Sequence, residues 1–170
     1  CGCFERMSFR LCDGLSGIAP EEVDALVIAG MGGETIANIL EAAPWVKEKD
    51  FPIILQPMST QAELRGWLWR NGFLCLREKT VFEGETLYSI ILARQGGAVP
   101  MTPAEEWRQY PGMEDPLRGL LLDHLLGRVR RALDGMARSR APAEARRREL
   151  EQVLEGLMEM RKEWDAWQQR

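Results

Sequence analysis

The sequence predicts an α/β fold: the carboxyl-terminal portion of a doubly wound, mainly parallel sheet, followed by an antiparallel helical hairpin. Three observations predict it. A nearly continuous apolar run, Val23 to Ala29, leads through glycines into an amphipathic segment, as at a strand–helix turn of a parallel sheet. A second apolar run and a second helical segment repeat this pattern. Finally, residues 116–138 and 143–168 carry apolar residues at helical spacing on either side of a short connection.

The first predicted element is a strand from Arg6 to Leu11, where apolar and polar residues alternate. It ends in Cys12-Asp13-Gly14-Leu15, a turn with an acidic residue at the carboxyl end of the strand. Asp13 has two interpretations. It can be a turn residue that bonds its own backbone, which its residue type favours, or it can accept a hydrogen bond from an amino group of a ligand.

The next strand, Val23 to Ala29, is predicted to be buried on both faces of the sheet because it is apolar almost throughout. Gly30-Met31-Gly32-Gly33 forms the turn into a helix from Glu34 to Leu40. Such a turn lies at the carboxyl end of its strand, where ligands bind in open α/β sheets, and glycine allows a ligand to approach the backbone. The glycines can also serve tight packing alone. They match neither the P-loop nor the dinucleotide motif.

The rest of this part alternates in the same way. We predict a strand at Phe51–Leu55, a helix at Gln61–Arg70 capped by Thr60 and stopped by Asn71-Gly72, a strand at Phe73–Phe82, a turn at Glu83–Glu85 and a last strand at Leu87–Ala93. This order is typical of a parallel sheet that ends in an antiparallel hairpin, the carboxyl half of a doubly wound domain. The amino half, which would supply further strand–helix units, is not expected in these residues.

Three regions follow from this pattern: a partial α/β domain at 1–95, a linker rich in glycine and proline at 96–115, and a helical hairpin at 116–170. Gly127, Gly135 and Gly156 each weaken the hairpin by roughly 1 kcal/mol relative to alanine. We therefore expect it to pack against the main domain or to self-associate with a second chain.

The composition excludes several classes of protein. No apolar run approaches the ~20 residues needed to cross a bilayer, and no signal pattern opens the chain. Four cysteines without a C-x-x-C pair and one histidine predict no metal site. We expect reduced thiols and a cytoplasmic protein without a membrane partner. Because Cys1 is not methionine and directly precedes a predicted strand, we also expect the chain to be part of a longer protein.

The net charge of −4 hides a concentrated basic segment. Residues 128–148 hold eight arginines against two acidic residues, Asp134 and Glu144, a local charge of +6. These arginines can be the solvated face of a charged helix pair, or they can contact nucleic-acid phosphates, which arginine binds with bidentate geometry. Their clustering on both sides of the hairpin turn favours phosphates. His124 is interpreted as a helix-face residue rather than a catalytic group.

Several segments match one known family in order along the chain. They are Asp13-Gly14-Leu15, Ile28-Ala29-Gly30-Met31-Gly32-Gly33, Ile54-Leu55-Gln56-Pro57, Leu64-Arg65-x-Trp67-Leu68 and Glu83-x-x-x-x-Tyr88. With the hairpin that follows, the set resembles the bacterial tRNA adenine-N1 methyltransferases of the TrmK type, which modify the adenosine at position 22. The resemblance implies the C-terminal portion of a class I (Rossmann-like) methyltransferase domain that uses S-adenosyl-L-methionine, followed by a coiled coil that helps to hold tRNA.

The resemblance also implies roles for individual residues. The cofactor would be bound by Asp13, Gly14, Leu15, Ala29, Gly30, Met31 and Gly32. The catalytic site, where methyl and base meet, would comprise Gly30, Met31, Gln56 and Pro57, with Gly33 helping to keep its wall thin. RNA would be bound by Arg128, Arg131, Arg138, Arg140, Arg146, Arg147 and Arg148. The family's first strand, with its Asp/Glu-x-Gly motif, has no counterpart in these residues, and Met58 stands where a compared member has asparagine.

Methylation of adenine N1 suits a site made of glycines and amides. N1 carries a lone pair and no proton at neutral pH, so its attack on a sulfonium methyl needs no general base. Catalysis would rest on aligning the two atoms at ~3–3.5 Å, which can lower a barrier by roughly 7–11 kcal/mol, with a paired target base first turned out of its stack. Two alternatives stay open: a non-catalytic RNA-binding or assembly module derived from a methyltransferase, and a methyltransferase for another base or a small molecule.

Overall fold

The computed structural model describes residues 6–108, 113–138 and 143–170. These residues form four strands and five α-helices: β1 (Leu26–Gly32), α1 (Gly33–Glu41), β2 (Ile53–Ser59), α2 (Gln61–Arg70), β3 (Phe73–Glu83), β4 (Thr86–Gln95), α3 (Pro103–Trp107), α4 (Arg118–Arg138) and α5 (Glu144–Gln168). Short 3₁₀ turns at Pro20–Glu22 and Pro44–Lys47 precede β1 and follow α1.

The four strands form one sheet in the order β1-β2-β4-β3. β1 and β2 are parallel, and β4 is antiparallel to both of its neighbours. The pair Glu83↔Thr86 closes a two-residue turn at Gly84-Glu85, in which Gly84 has a φ of +61°. Positive φ is the conformation that such hairpin turns require. The predicted parallel sheet with an antiparallel end is therefore confirmed, with the last strand inserted between β2 and β3.

Only one face of the sheet is covered by helices of the described residues. The crossovers β1–α1–β2 and β2–α2–β3 run in the same direction across the sheet, and right-handed crossovers then place both helices on the same face. On that face Ile28, Ile53 and Leu55 are buried. On the other face Val27 is 64% exposed and Ile54 is 36% exposed. The prediction that β1 is buried on both faces is therefore wrong for this structure.

The predicted first strand is also absent. After a helical residue at Arg6, residues 7–12 are irregular, and Met7, Phe9 and Leu11 are exposed. Alternating residues form a strand only when a neighbouring strand satisfies their backbone groups, and in the described part of the chain β1 pairs with β2 alone. An ion pair between Arg10 and Glu22 instead fixes this segment. With a backbone hydrogen bond at Ala19, it lowers the pKa of Glu22 to about 2.

The two long helices pack against each other in antiparallel fashion. Arg161, near the end of α5, pairs with Asp123, near the start of α4, at 2.9 Å. The core between them contains Leu121, Leu122, Leu125, Leu126 and Val129 of α4 with Leu150, Val153 and Leu157 of α5. Leu87 of β4 and Trp107 of α3 also pack on this core, which joins the hairpin to the sheet. No helix in the described ranges is long and apolar enough to span a membrane.

The region predicted as a linker contains α3. Thr102 caps this short helix: its hydroxyl accepts from Glu105 N at 3.3 Å, and its own N–H donates to the Glu105 carboxylate at 2.9 Å. The hydrogen bond from the Thr102 backbone to the carboxylate is the main cause that lowers the pKa of Glu105. Ala104 packs so closely on α5 that a Cβ on Gly156 would lie 2.4 Å from its Cβ.

An ion pair inside the protein connects α3 with the sheet. Arg65 of α2 and Glu78 of β3 form this pair, with both side chains essentially inaccessible to solvent. Arg65 also donates to the carbonyl oxygen of Glu106 at 3.0 Å, and the Glu106 carboxylate accepts from Trp69 Nε1 and from Arg70, each at 2.9 Å. Charged hydrogen bonds thus hold α3, which packs against α5 of the hairpin, to α2 and β3.

Candidate functional site

The backbone at Gly30 forms a bulge near the carboxyl end of β1. The register with β2 shifts between Ala29, which pairs with Gln56, and Met31, which pairs with Pro57. Gly30 has a φ of +79°, in the left-handed region that favours glycine, and a Cβ placed on it would meet no atom within 4 Å. The bulge therefore presents bare backbone to open space at the carboxyl edge of the sheet.

Gln56 fixes this bulge from the neighbouring strand. Its side-chain oxygen accepts a hydrogen bond from Gly30 N at 2.9 Å. The amide orientation leaves Nε2 with one weak acceptor, the Met58 sulfur at 3.4 Å. The structure thus brings together two of the predicted catalytic residues, and Gln56 retains donor capacity toward a ligand.

The strand–helix turn is tighter than predicted, because β1 continues to Gly32 and α1 begins at the next residue. A Cβ on Gly33 would lie 2.2 Å from the carbonyl oxygen of Thr60, so glycine serves close packing there. Thr60 stands at the N-cap position of α2 with a φ of +46°, but its side chain makes no capping bond to that helix. Its hydroxyl accepts instead from Glu34 N at 3.2 Å, in the first turn of α1. Both interpretations of the glycines therefore apply: Gly30 leaves the backbone open to a ligand, and Gly33 allows close packing.

The other predicted residues of this turn differ in exposure. Ala29 and Met31 are exposed, the latter by 40%, and Gly32 is half-buried. Pro57 is buried with the helix-covered face of β2. It therefore shapes the strand and does not face open space beside Gln56.

The Asp13-Gly14-Leu15 segment forms the predicted turn. Ser16 N donates to the Asp13 carbonyl at 3.0 Å, and Gly14 has a φ of +52°. A Cβ on Gly14 would lie 3.2 Å from the side chain of Ile39, which is about 9 Å along α1 from Gly33. The turn therefore packs on the later part of α1. Its role in cofactor binding stays a prediction.

An open groove lies on the uncovered face of the sheet beside the Gly30 bulge. It has a volume of about 330 Å³ and is lined by Gln56, Met58, Val81, Glu83, Tyr88 and Ile90. Gln56 is a site residue predicted from the sequence, whereas Glu83 and Tyr88 are not. The cross-strand register of the sheet would have indicated these two residues. Tyr88 pairs with Val81, and Glu83 lies two residues after Val81, so both residues belong to the face of the sheet that bears Gln56.

The arginines of the hairpin fall into two groups. On α5, Arg146 pairs with Glu149 at 2.8 Å, Arg147 with Glu144 at 2.7 Å, and Arg148 lies 3.7 Å from Glu144. On α4, Arg128, Arg131 and Arg138 form no ion pair within the described residues. The basic segment is therefore partly neutralised on α5, in part by acids just beyond residue 148, and unpaired on α4. Arg140 lies outside the described residues.

Arg128 lies between the hairpin, α3 and the start of α2. Its guanidinium lies 5.6 Å from the ring centroid of Trp107, within the range of a cation–π contact. With Arg146 it lines a cleft of about 120 Å³ against the start of α2 at Thr60–Glu63. That connection directly follows the strand that carries Gln56. A polyanion on the inner side of the hairpin would therefore pass near the candidate site.

His124 lies one turn before Arg128 on an exposed part of α4. Partial burial, with Arg128 and Arg131 nearby, lowers its pKa. Burial raises the pKa of the Cys75 thiol to about 12, so that this thiol is inert at neutral pH. Within the described ranges, no three His, Cys, Asp or Glu side chains are grouped to hold a metal ion.

Comparison with known proteins gives one family and one group of folds. The family described as "Methyltransferase domain" matches residues 1–91. The tRNA (adenine(22)-N(1))-methyltransferase of Bacillus subtilis (strain 168) is 36% identical over 95 residues, which are 56% of this chain and 40% of that protein. The chain thus spans about two fifths of the length of this curated relative.

Solved structures show the fold over more of the chain. A Streptococcus agalactiae protein of the NADB-Rossmann superfamily has a TM-score of 0.75 at 24% identity, covering 94% of this chain and 70% of that one. B. subtilis TrmK, an m1A22 tRNA methyltransferase, has a TM-score of 0.72 at 24% identity, with coverages of 89% and 69%. M. capricolum TrmK with S-adenosyl-homocysteine has a TM-score of 0.66 at 17% identity, with coverages of 90% and 67%.

Proposed function

The chain belongs to the methyltransferase domain family, and from this premise we propose that its full-length protein transfers a methyl group from S-adenosylmethionine to N1 of an adenine in tRNA. The observation that carries the proposal is the Gly30 bulge, an open stretch of backbone at the carboxyl edge of the sheet held by the Gln56 side chain. The chemistry requires close approach rather than proton transfer, and this geometry supplies it.

The residues present fit a bound methyl donor. A ligand can lie against Gly30 because no side chain occupies the space that its missing Cβ would fill. We assign cofactor contacts to Ala29, Gly30, Met31 and Gly32 around this opening, and to the Asp13-Gly14-Leu15 turn, whose Asp13 is exposed. S-adenosylmethionine would supply an electrophilic methyl on its sulfonium.

The protein groups would act by orientation. Gln56 holds Gly30 N–H and keeps the bulge open, which fixes the wall against which donor and base must meet. Because adenine N1 has no proton to lose, its attack on the methyl group needs no general base. The main source of rate acceleration is then the alignment of the two reacting atoms, which can lower the barrier by roughly 7–11 kcal/mol.

The hairpin supports tRNA as the substrate. Unpaired arginines on α4 offer phosphate contacts, and the cleft at Arg128 leads to the β2–α2 connection. The relative that is 36% identical bears the name of a tRNA adenine-22 methyltransferase, so we propose position 22 as the target. Such a protein would act in the cytoplasm on transcribed tRNA.

The test is methyl transfer by the full-length protein. With labelled S-adenosylmethionine and unmodified tRNA transcripts, we expect one methyl group per tRNA at N1 of one adenosine, mapped by reverse-transcription arrest. A transcript with guanosine at position 22 is the control and should accept none. Binding of tRNA without binding of S-adenosylmethionine would contradict the proposal and identify a non-catalytic RNA-binding module.

A further inference from the structure

The groove beside the Gly30 bulge contains two side chains to which the site described above gives no role. Glu83 and Tyr88 line it together with Gln56, Met58, Val81 and Ile90. Within the described ranges, Glu83 forms no ion pair and Tyr88 forms no ring contact. A carboxylate and a phenol are thus both available to a ligand in the groove that Gln56 also lines.

The dimensions of this pair suit a flat heterocycle. Glu83 pairs across the hairpin with Thr86, so Tyr88 is its diagonal neighbour. Diagonal neighbours in an antiparallel pair are separated by about 7–8 Å, within reach of long and aromatic side chains. Met58, Val81 and Ile90 supply apolar walls. The groove therefore offers an aromatic ring for stacking, apolar sides, and a single acceptor group at its rim.

We propose that Tyr88 and Glu83 hold the target adenine, Tyr88 by stacking on the base and Glu83 by accepting a hydrogen bond from its exocyclic amino group. This inference rests on the proposed function, which it extends by naming the residues that select and activate the base. A base turned out of its stack regains an aromatic neighbour on Tyr88. Uracil and cytosine are smaller, and guanine presents a carbonyl oxygen where adenine presents its amino group.

The carboxylate has a second effect on the reaction itself. The N1 lone pair forms the new C–N bond while the S–CH₃ bond breaks and its electron pair stays on sulfur. The positive charge of the sulfonium thereby passes to the adenine ring and its amino group. Glu83, as an anion bonded to that amino group, interacts more strongly with the developing cation than with the neutral base, so it lowers the barrier.

The test compares Glu83→Gln with Glu85→Gln in the full-length protein. Both change one carboxylate in the same hairpin turn, but Glu85 does not line the groove. We expect Glu83→Gln, which keeps an acceptor oxygen but removes the negative charge, to lower kcat by about 10- to 100-fold, with tRNA affinity unchanged. Glu85→Gln should behave as wild type. Equal activity of both variants would overturn the proposal.

A modified substrate makes the test specific for the amino group. A tRNA carrying purine riboside at the target position retains N1 but lacks the exocyclic amino group. Because loss of the amino group also weakens N1 as a nucleophile, both proteins should lose rate on it, but Glu83→Gln should lose less than wild type. Additive losses would show that Glu83 does not act through this group. Tyr88→Ala should raise KM and lower kcat, and normal kinetics of Tyr88→Ala would exclude stacking.

If the wild-type protein methylates no tRNA, the proposed function fails. If wild type is active and Glu83→Gln equals it, only the assignment of the adenine-binding groove fails.

Discussion

Gly30 adopts a backbone conformation that other residues reach only with strain, and it does so where the sheet is open. The same is true of Gly96, just after β4, whose φ is +98° and whose Cβ would also meet no atom within 4 Å. The two positions therefore share backbone strain and free space, but only Gly30 lies at the candidate site. They form a matched pair for separating stability from function.

We predict that Gly30→Ala and Gly96→Ala each cost about 1–2 kcal/mol of stability, the strain of a left-handed conformation. Only Gly30→Ala should lower methyl transfer by the full-length protein, because its new methyl enters the space assigned to cofactor and base. Thermal unfolding and single-turnover kinetics measure the two effects. Equal activity of the two variants would remove the bulge from the site.

His124 reports on the charge around the α4 arginines. Its pKa is lowered by partial burial and by Arg128 and Arg131, so its titration midpoint in the free protein should lie below the ordinary ~6.5 of histidine. If tRNA phosphates neutralise these arginines, the imidazolium is stabilised and the pKa rises on binding. Binding should then strengthen as pH falls through that range. Imidazole NMR signals, assigned with His124→Gln, measure the midpoint, and an unchanged midpoint in saturating tRNA would place the phosphates elsewhere.

The two helices of the hairpin carry similar numbers of basic residues but differ in how those residues are paired. Arg128 and Arg131 are three residues apart on one face of α4 and form no ion pair in the described residues, whereas Arg147 and Arg148 interact with Glu144. A paired arginine must exchange its carboxylate for a phosphate, so its net contribution to RNA binding is smaller. The pairing, rather than the count, should decide which helix holds tRNA.

We predict that Arg128→Gln with Arg131→Gln weakens tRNA binding and reduces the slope of log affinity against log salt by about one unit per lost contact. Arg147→Gln with Arg148→Gln removes the same charge from α5 and should change both quantities less. Filter binding over a salt series measures them. A larger effect of the α5 pair would assign the RNA surface to α5.

α2, β3 and α3 meet at one buried ion pair. Arg65 and Glu78 are both inaccessible, so replacing Arg65 removes the cation that pairs with a buried carboxylate. We predict that Arg65→Met costs about 3–5 kcal/mol of stability and that adding Glu78→Leu recovers much of this loss. Glu41→Gln, at the exposed pair with Lys47, should cost no more than about 1 kcal/mol. Denaturant unfolding measures all three; a mild effect of Arg65→Met alone would show that the Glu78 charge is otherwise compensated.

Across the chain, hydrophobic periodicity predicted the helices and strands whose bounds it determines. The bounds of α2 agree to the residue, and those of α1, β3, β4 and the two long helices agree within two residues or so. The prediction failed where contact with another segment determines the local structure. Residues 6–11 alternate like a strand but have no described neighbour, and Val27 is apolar but uncovered because both crossover helices lie on the other face.

Two further features of the structure, the start of α3 and the groove at Glu83 and Tyr88, have signals in the sequence that were not part of the prediction. Thr102-Pro103-Ala104-Glu105 combines a capping box with proline at the first helical position, which predicts a helix start inside the assumed linker. The Glu83 and Tyr88 groove required cross-strand register, which periodicity alone does not provide. At the candidate site, the contact between Gln56 and Gly30 follows from parallel pairing, whereas the burial of Pro57 depended on which face the helices cover.

Ala104 of α3 packs directly on Gly156, near the middle of α5, so this contact is the point about which a rotation of α5 would be centred. α5 has 25 residues and is therefore about 37 Å long. Gly156 lies 12 residues after Glu144 at the start of α5, a distance of about 18 Å. A rotation of about 5° at Gly156 would displace that end by about 1.6 Å, and misplacing reacting groups by about 1 Å can cost roughly a hundredfold in rate. Stiffness at this joint, where a Cβ on Gly156 would lie 2.4 Å from Ala104, would thus set how accurately a bound RNA is presented.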